Sequence, residues 1–133
     1  MCRLFVDAGK KGLGIVIHSW DGEQYIVSKS REDYPYEWYN EGEFKALLEG
    51  LKECTTLKEE KVLAYTDSQI VYGSVMGWMK IKKIYPHLRK VLAEIRYMVG
   101  VRRGSEFVRG RKFKEFMINK IKGEDNPADR YTK

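Results

Sequence analysis

Short apolar runs bounded by turn residues along the first third of the chain are typical of β-strands. Three such runs occupy residues 3–7, 13–18 and 24–29, and Asp21-Gly22 between the last two is a strong hairpin-turn signal. In the first run Leu4 and Val6 would face one side and Phe5 the other, as in a central strand covered on both faces. We therefore expect an antiparallel meander that begins with a central strand.

The spacing of apolar residues changes to that of a helix after Asn40, which is a suitable N-cap. The apolar positions of this helix are Phe44, Leu47, Leu48 and Leu51. A strand at 62–66 follows, and the helical crossover predicts that it pairs in parallel with the first strand. A second helix is expected to open at Asp67-Ser68, with Val71, Val75 and Trp78 on one face. A third is expected to run from Pro86 to Gly100, with Leu88, Val91, Leu92, Ile95 and Val99 on one stripe.

The last quarter of the chain predicts a short fifth strand at 106–108 and then a helix at 112–122. The helix is indicated by the spacing of Phe113, Phe116, Met117 and Ile121. Asn126-Pro127 begins a final helical turn. The fold class expected is α/β, with a five-stranded mixed sheet of three antiparallel and then two parallel strands, and with helices on both faces. Residues 1–133 are expected to form one domain.

Composition agrees with a folded intracellular domain, because hydrophobic residues make up 43% and charged residues 33% of the chain. No apolar run approaches the roughly 20 residues of a membrane span, and no signal peptide is recognisable. Two cysteines, Cys2 and Cys54, do not make a disulfide framework. We expect a cytoplasmic protein that is monomeric and has no membrane partner.

The net charge of +6 is unevenly distributed along the chain. Residues 1–78 carry a net charge of −4, residues 79–112 carry +9 and residues 113–133 carry +1. A concentrated basic segment favours an anionic polymer as the partner, whereas a solvated helix face is the alternative explanation of such a segment.

Four carboxylates stand at strand ends or helix starts: Asp7, Glu43, Asp67 and Asp129. Each has a plausible local role. Asp7 is a possible turn former, Glu43 a capping-box partner of Asn40, and Asp67 an N-cap, and Asp129 occupies a cap-like position after Asn126. Two strands that each end in Asp nevertheless bring two carboxylates to one sheet edge, where a cation or a shared proton must offset their repulsion.

The order of these acids resembles that of the type 1 ribonuclease H family. The matching stretches are Phe-Val-Asp-Ala-Gly at 5–9, Glu-Phe-Lys-Ala-Leu-Leu-Glu-Gly-Leu at 43–51, Thr-Asp-Ser-Gln-Ile-Val at 66–71 and Asn-Pro-Ala-Asp at 126–129. The end of the chain, Asn-Pro-Ala-Asp-Arg-Tyr-Thr-Lys, is similar to the end of ribonuclease H domains in copia-type retroelements.

The resemblance implies an enzyme that cuts the RNA strand of RNA–DNA hybrids. Asp7, Glu43, Asp67 and Asp129 would be catalytic and would hold two Mg²⁺ ions, for which Mn²⁺ would substitute. By the family pattern, Glu43 lies mainly on the leaving-group side and Asp129 mainly on the side of the attacking water. A non-catalytic nucleic-acid-binding module with the same fold and another nuclease of the superfamily, such as a junction resolvase or an exonuclease, are the alternatives.

The resemblance also implies residues that bind the hybrid. Ser68 and Gln69 match positions near the minor groove, where 2′-hydroxyls distinguish RNA from DNA. Lys80, Lys82 and Lys83 lie where family members grip phosphates of the DNA strand. The family often carries a His in the loop before the last helix, and here Arg109, Arg111 and Lys112 are expected to occupy that place. The helix at 112–122 would be an insertion that supports Asp129.

Overall fold

The computed structural model describes residues 1–79, 86–103 and 106–133. Seven strands are present in these ranges: β1 (Cys2–Ala8), β2 (Gly12–His18), β3 (Gln24–Ser30), β4 (Lys61–Thr66), β5 (Gly100–Arg103), β6 (Glu106–Arg109) and β7 (Glu115–Lys120). The helices are α1 (Tyr39–Thr56), α2 (Gln69–Met76) and α3 (Pro86–Val99). Two 3₁₀ turns, at Gly123–Asp125 and Asp129–Tyr131, follow the last strand.

A mixed five-stranded sheet in the order β3-β2-β1-β4-β7 forms the centre of the fold. The first three strands are antiparallel, while β4 pairs in parallel with β1 and β7 in parallel with β4. The predicted fold class and the central position of β1 are thereby confirmed. The predicted apolar stripe of α1 is buried, as are Leu88, Leu92, Ile95 and Val99 of α3. Cys2 and Cys54 are free, buried in the same core, with their Sγ atoms 3.9 Å apart.

The fifth strand of the sheet is β7, which lies within the segment predicted to be an inserted helix. The predicted strand at 106–108 pairs with residues 100–103 in a separate hairpin instead. Phe116 and Ile118 alternate with the exposed Met117 and Asn119, as the one-sided burial of an edge strand requires. Pairing with β4, from Lys61 opposite Glu115 onward, therefore outweighs the helical spacing of the apolar residues. The segment is part of the sheet, and the prediction of an inserted helix was wrong.

The two faces of the sheet are covered differently. Among the described residues, α1, α2 and α3 contact one another on the face that carries Leu4 and Val6. The other face carries Phe5, whose ring stacks on Tyr65 with the centroids 4.8 Å apart. The 3₁₀ turn at Asp129–Tyr131 packs on β2 over Gly14 of this face. The expected helix on the second face is thus a single turn.

Two predicted helix ends also differ in the structure. Helix α1 begins at Tyr39, its N-cap position is Trp38, and Asn40 lies inside the first turn. Helix α2 ends at Met76 because Gly77 adopts the left-handed conformation, with φ of 87°, so Trp78 lies beyond the helix and is 67% exposed. Across the described ranges, no helix combines the length and apolar character needed to cross a membrane.

The strand assignment of residues 115–120 predicts a contrast between two neighbouring positions. Ile118 is 5% exposed and Met117 is 57% exposed. We expect Ile118→Ala to lower the free energy of unfolding by about 2–4 kcal/mol, since it leaves a cavity in the core. Met117→Ala should change it by less than about 1 kcal/mol. Urea denaturation of both variants measures this difference. Equal losses at the two positions would contradict the strand, because neighbouring positions lie on opposite faces only in a strand.

Candidate active site

Three carboxylates from three separate elements meet at one edge of the sheet. Asp7 is the second-last residue of β1, and Asp67 directly follows β4. The parallel pairing of these two strands brings their ends together. Glu43 lies on the first turns of α1, which packs on β1. One carboxylate oxygen of each residue lies within 4.8 Å of the others.

Asp129 adjoins this cluster from the C-terminal segment. Its carboxyl group is hydrogen-bonded to that of Asp7, and its charge acts on Asp67. The segment 126–132, which we name the strap, is held against β1 by Asn126, whose Nδ2 donates to the carbonyl of Val6 at 2.9 Å. The structure therefore brings together all four carboxylates that the sequence singled out; their catalytic role stays a prediction.

The local roles that competed for these acids are filled by other groups. Ser68 caps α2, since its Oγ accepts from the amide of Val71 at 3.2 Å, and this leaves Asp67 free of that role. The amide of Ala128, just before the last turn, donates to Asn126 Oδ1 at 3.1 Å, so this backbone amide is bonded by a side chain other than that of Asp129. Glu43 Oε1 accepts from the amide of Ala8 at 3.2 Å. Glu43 thus bonds to the end of β1 and not to Asn40.

Burial and crowding change the acidity of the cluster. Burial, followed by the hydrogen bond and charge of Asp7, raises the pKa of Glu43 far above its usual range. Burial also raises the pKa of Asp7, with repulsion from Asp67 adding to the effect, and it raises the pKa of Asp67. Asp129 behaves oppositely: the Lys133 ammonium, with Nζ 2.9 Å from Oδ2, lowers its pKa. Without a cation, the raised pKa values favour protonation within this group of buried acids.

The donor set fits a hard divalent cation. Carboxylate oxygens are preferred ligands of such ions, and three of them already lie close together. Glu43 Oε2 is buried and has no hydrogen-bond partner among the described residues. A buried carboxylate oxygen left without a partner is costly unless a cation or a proton satisfies it. Each of these observations favours a metal site.

The predicted hybrid-binding residues next to Asp67 differ in their freedom to bind. Ser68 is partly buried, and its hydroxyl is engaged in the cap of α2. Gln69 is exposed at the first position of α2, beside the carboxylates, and its side chain is available to a ligand. Lys80, Lys82 and Lys83 lie outside the described residues.

Arg109, Arg111 and Lys112 are exposed. Arg109 pairs with Gly100 in the separate hairpin, whereas Arg111 and Lys112 lie at the other end of the five-stranded sheet from the carboxylates. They precede β7, whose Glu115 pairs with Lys61, whereas the carboxylate edge begins where Lys120 pairs with Thr66. A six-residue strand spans about 20 Å at roughly 3.3 Å per residue. The expectation that Arg111 and Lys112 replace the loop histidine was therefore wrong; the role expected of Arg109, and contact of all three residues with nucleic acid, stay predictions.

The segment that takes this place is 121–125, between β7 and the strap. The amide of Ile121 donates to the carbonyl of Thr66 at 2.9 Å, and a Cβ at Gly123 would lie 3.1 Å from Asp67 Oδ2. Lys120, at the end of β7, lowers the pKa of Asp67 through its charge. Sequence reasoning missed Lys120 because it placed these residues in a helix. It also missed Lys133, for which the signal was a Lys four residues after Asp129.

Comparisons with known proteins identify the family and the fold of the chain. The profile of the family described as "Reverse transcriptase-like" matches residues 4–102. No curated protein matches the chain. Several solved structures match the chain. The N-terminal RNase H domain of Rv2228c from Mycobacterium tuberculosis, solved as a fusion with maltose-binding protein, has a TM-score of 0.76 at 19% identity, covering 98% of this chain and 94% of that one.

Two further structures give the same result. RNase H1 from Halobacterium salinarum has a TM-score of 0.74 at 17% identity, with 98% of this chain and 92% of that chain covered. LC11-RNase H1, solved in complex with an RNA/DNA hybrid, has a TM-score of 0.68 at 16% identity, with 98% and 93% covered. At these identities the likeness shows a shared fold. Because the family profile spans more than half of the sequence, the chain belongs to the reverse transcriptase-like family, and its fold is ribonuclease H-like.

Proposed function

We propose that this protein is a metal-dependent endonuclease that hydrolyses the RNA strand of RNA–DNA hybrids. The observation that carries the proposal is the convergence of Asp7, Glu43 and Asp67, with Asp129 hydrogen-bonded to Asp7, at one edge of a ribonuclease H-like sheet. The hybrid bound to the structural neighbour LC11-RNase H1 supports the choice of substrate.

The same four acids would hold two Mg²⁺ ions, and Mn²⁺ would substitute for them. Bound ions of this kind supply an activated water and stabilise the leaving oxygen of a phosphodiester. Asp7 is the central ligand of this arrangement, because it is hydrogen-bonded both to Glu43 and to Asp129. Asp67 is less buried than Asp7 and Glu43, so it is more open than they are to an incoming phosphate.

Other residues would hold the hybrid. Gln69 is exposed beside the carboxylates, where it can meet the minor groove and its 2′-hydroxyls. The +9 charge of residues 79–112 would bind phosphates of the DNA strand. We further propose that the protein acts as a monomer in the cytoplasm.

The first prediction from the proposed function concerns Asp67. Asp67→Asn keeps the shape of the side chain and removes its charge, so we expect hybrid cleavage in Mg²⁺ to fall at least about a hundredfold. Asp33→Asn, at an exposed loop position, is the matched control and should cleave like the wild type. Labelled hybrid, duplex RNA and duplex DNA, each with and without Mg²⁺, form the assay. Cleavage of the hybrid by the wild type without added metal, or by Asp67→Asn at near wild-type rate, would contradict the proposal.

The second prediction concerns the metal-free protein. The pKa of Glu43 is raised in the folded state, so the folded protein keeps a proton that the unfolded chain releases as pH rises above about 4. The stabilising effect of that proton is complete below the unfolded pKa and is lost as pH rises. Glu43→Gln should therefore be more stable than the wild type at pH 8, by about 1–3 kcal/mol at roughly 1.4 kcal/mol per pKa unit. The gain should shrink toward pH 4.

Thermal melts in a chelator, from pH 4 to pH 9, measure this gain. Glu49→Gln, on the same helix but paired with Lys52, should change stability by less than about 1 kcal/mol throughout. Added Mg²⁺ should stabilise the wild type and leave Glu43→Gln nearly unaffected. A Glu43→Gln variant that is less stable than the wild type at pH 8 would show that this carboxylate supports the fold.

The third prediction concerns the basic segment. Replacing Lys80, Lys82 and Lys83 with Ala should weaken hybrid binding and reduce the slope of log affinity against log salt by up to about three, roughly one per lost phosphate contact. The control triple is Lys52, Lys58 and Lys61, since Lys61 begins β4 at the end remote from the carboxylates. Fluorescence anisotropy at several salt concentrations, with Ca²⁺ in place of Mg²⁺, measures both. Identical slopes for the two triples would refute a specific role of the basic segment.

A further inference from the structure

We propose that Thr132 is a positioning residue of the carboxylate site: its hydroxyl fixes Asp129 of the strap relative to Asp7 and thereby sets the affinity of the site for divalent cations. This inference rests on the proposed metal-dependent function and adds a residue to it. Thr132 is a polar residue, yet it is only 2% exposed. Buried polar groups are held by hydrogen bonds, so its partners identify its role.

The hydroxyl of Thr132 lies between the two acids. It donates to the backbone carbonyl of Asp129 at 2.8 Å, and its Oγ1 lies 3.4 Å from Asp7 Oδ2. The first contact closes the 3₁₀ turn that carries the Asp129 carboxylate. The second places the same hydroxyl against the central carboxylate of the site. One side chain therefore joins the two segments from which the paired ligands come.

The main chain of Thr132 is also tightly docked. Its carbonyl accepts a hydrogen bond from the amide of Lys11 at 2.9 Å. A Cβ on Gly9 would lie 2.7 Å from that carbonyl oxygen, and a Cβ on Gly14 would lie 2.4 Å from the carbonyl oxygen of Ala128. No other residue type fits these positions without moving the strap. The glycines at 9 and 14 thus form a slot that fixes the height of Thr132 above the sheet.

Positioning by Thr132 has a physical purpose because its hydroxyl carries the docking of the strap onto the carboxylate of Asp7. The strap contributes no strand to the sheet, and its 3₁₀ turn at Asp129–Tyr131 is three residues long. Asn126 anchors its beginning, and Thr132 anchors its end. Between them Asp129 lies beside an acid that repels it once both are ionised. Residues that orient metal ligands in this way typically change affinity by about 10–100-fold when they are lost.

The test compares Thr132→Val, which keeps the shape and loses the hydroxyl, with Thr132→Ser, which keeps the hydroxyl. Titration calorimetry of the substrate-free protein with MgCl₂ or MnCl₂ gives the cation affinity without reference to activity. We expect Thr132→Val to weaken binding by roughly 10–100-fold and Thr132→Ser by less than about threefold. In cleavage assays, Thr132→Val should need more Mg²⁺ for half-maximal rate and should recover most of its kcat at saturation.

Thr55→Val is the matched control for a purely structural effect. The Thr55 hydroxyl also donates to a backbone carbonyl, that of Leu51 at 3.0 Å, and it lies twelve residues after Glu43, about 18 Å along α1. It should bind cations like the wild type. If Thr132→Val does not fold, Gly9→Ala, which displaces the Thr132 carbonyl, should show the same loss of affinity.

Two outcomes would overturn the inference while leaving the proposed function intact. The first is wild-type affinity in Thr132→Val, or in Gly9→Ala where that variant is used. The second is equal weakening in Thr132→Ser and Thr132→Val, which would assign the effect to packing. A wild-type protein that binds neither Mg²⁺ nor Mn²⁺ would overturn the proposed function itself, and this inference with it.

Discussion

Repulsion among carboxylates that are partly removed from water is the constraint on which this structure depends. Asp7 and Glu43 are nearly inaccessible to solvent, and Asp67 lies within reach of both. Ionising such a group costs free energy that the rest of the fold must supply, unless a proton or a cation compensates. The sheet, α1 and the strap each deliver one or two of these groups. Their packing therefore opposes the charges that it brings together.

The fold meets this constraint because neutral side chains near the acids make the local hydrogen bonds to backbone amides. Ser68 caps α2 and Asn126 accepts the amide of Ala128, although an aspartate stands next to Ser68 and another three residues after Asn126. If the aspartates made these bonds, their oxygens would be directed at backbone amides and would be unable to meet at one point. In the pair Asp67 and Ser68, the serine stabilises the start of α2 and the aspartate is left to join the carboxylate cluster.

The sequence predicted the parts of the molecule in which pattern and environment agree. Strands β1 to β4 and the buried stripes of α1 and α3 are apolar where the core requires it. It failed at β7, where Phe113, Phe116 and Met117 have helical spacing although the backbone pairs with β4. Phe113 is buried just before the strand, whereas Met117 is exposed on it. The apolar residues that suggested one helical face therefore do not share a buried face. An edge strand has one buried face and little sequence signal of its own.

The sequence predicted the carboxylates of the site but not the residues that hold them in place. The four carboxylates were identifiable because their order matches a known motif pattern. The roles of Thr132, Lys120 and the slot at Gly9 and Gly14 depend on how the strap crosses β2, which local patterning does not encode. The wrong placement of Arg111 and Lys112 has the same cause. The fifth strand of the sheet, predicted at 106–108, is β7 at 115–120 in the structure, so the two residues precede the strand and lie at the opposite end of the sheet.

The strap adds the fourth carboxylate, Asp129, to this cluster from the far end of the sequence. The contact between Thr132 and Asp7 spans 125 residues of sequence, one of the largest separations that this chain allows. Closing so long a loop is entropically expensive, and such contacts are rewarded only after most of the chain is ordered. The meander, the crossover through α1 and the pairing of β4 can therefore form while Asp129 is still remote. In this order of events, Asp129 joins Asp7, Glu43 and Asp67 only after the sheet and α1 have brought those three carboxylates together.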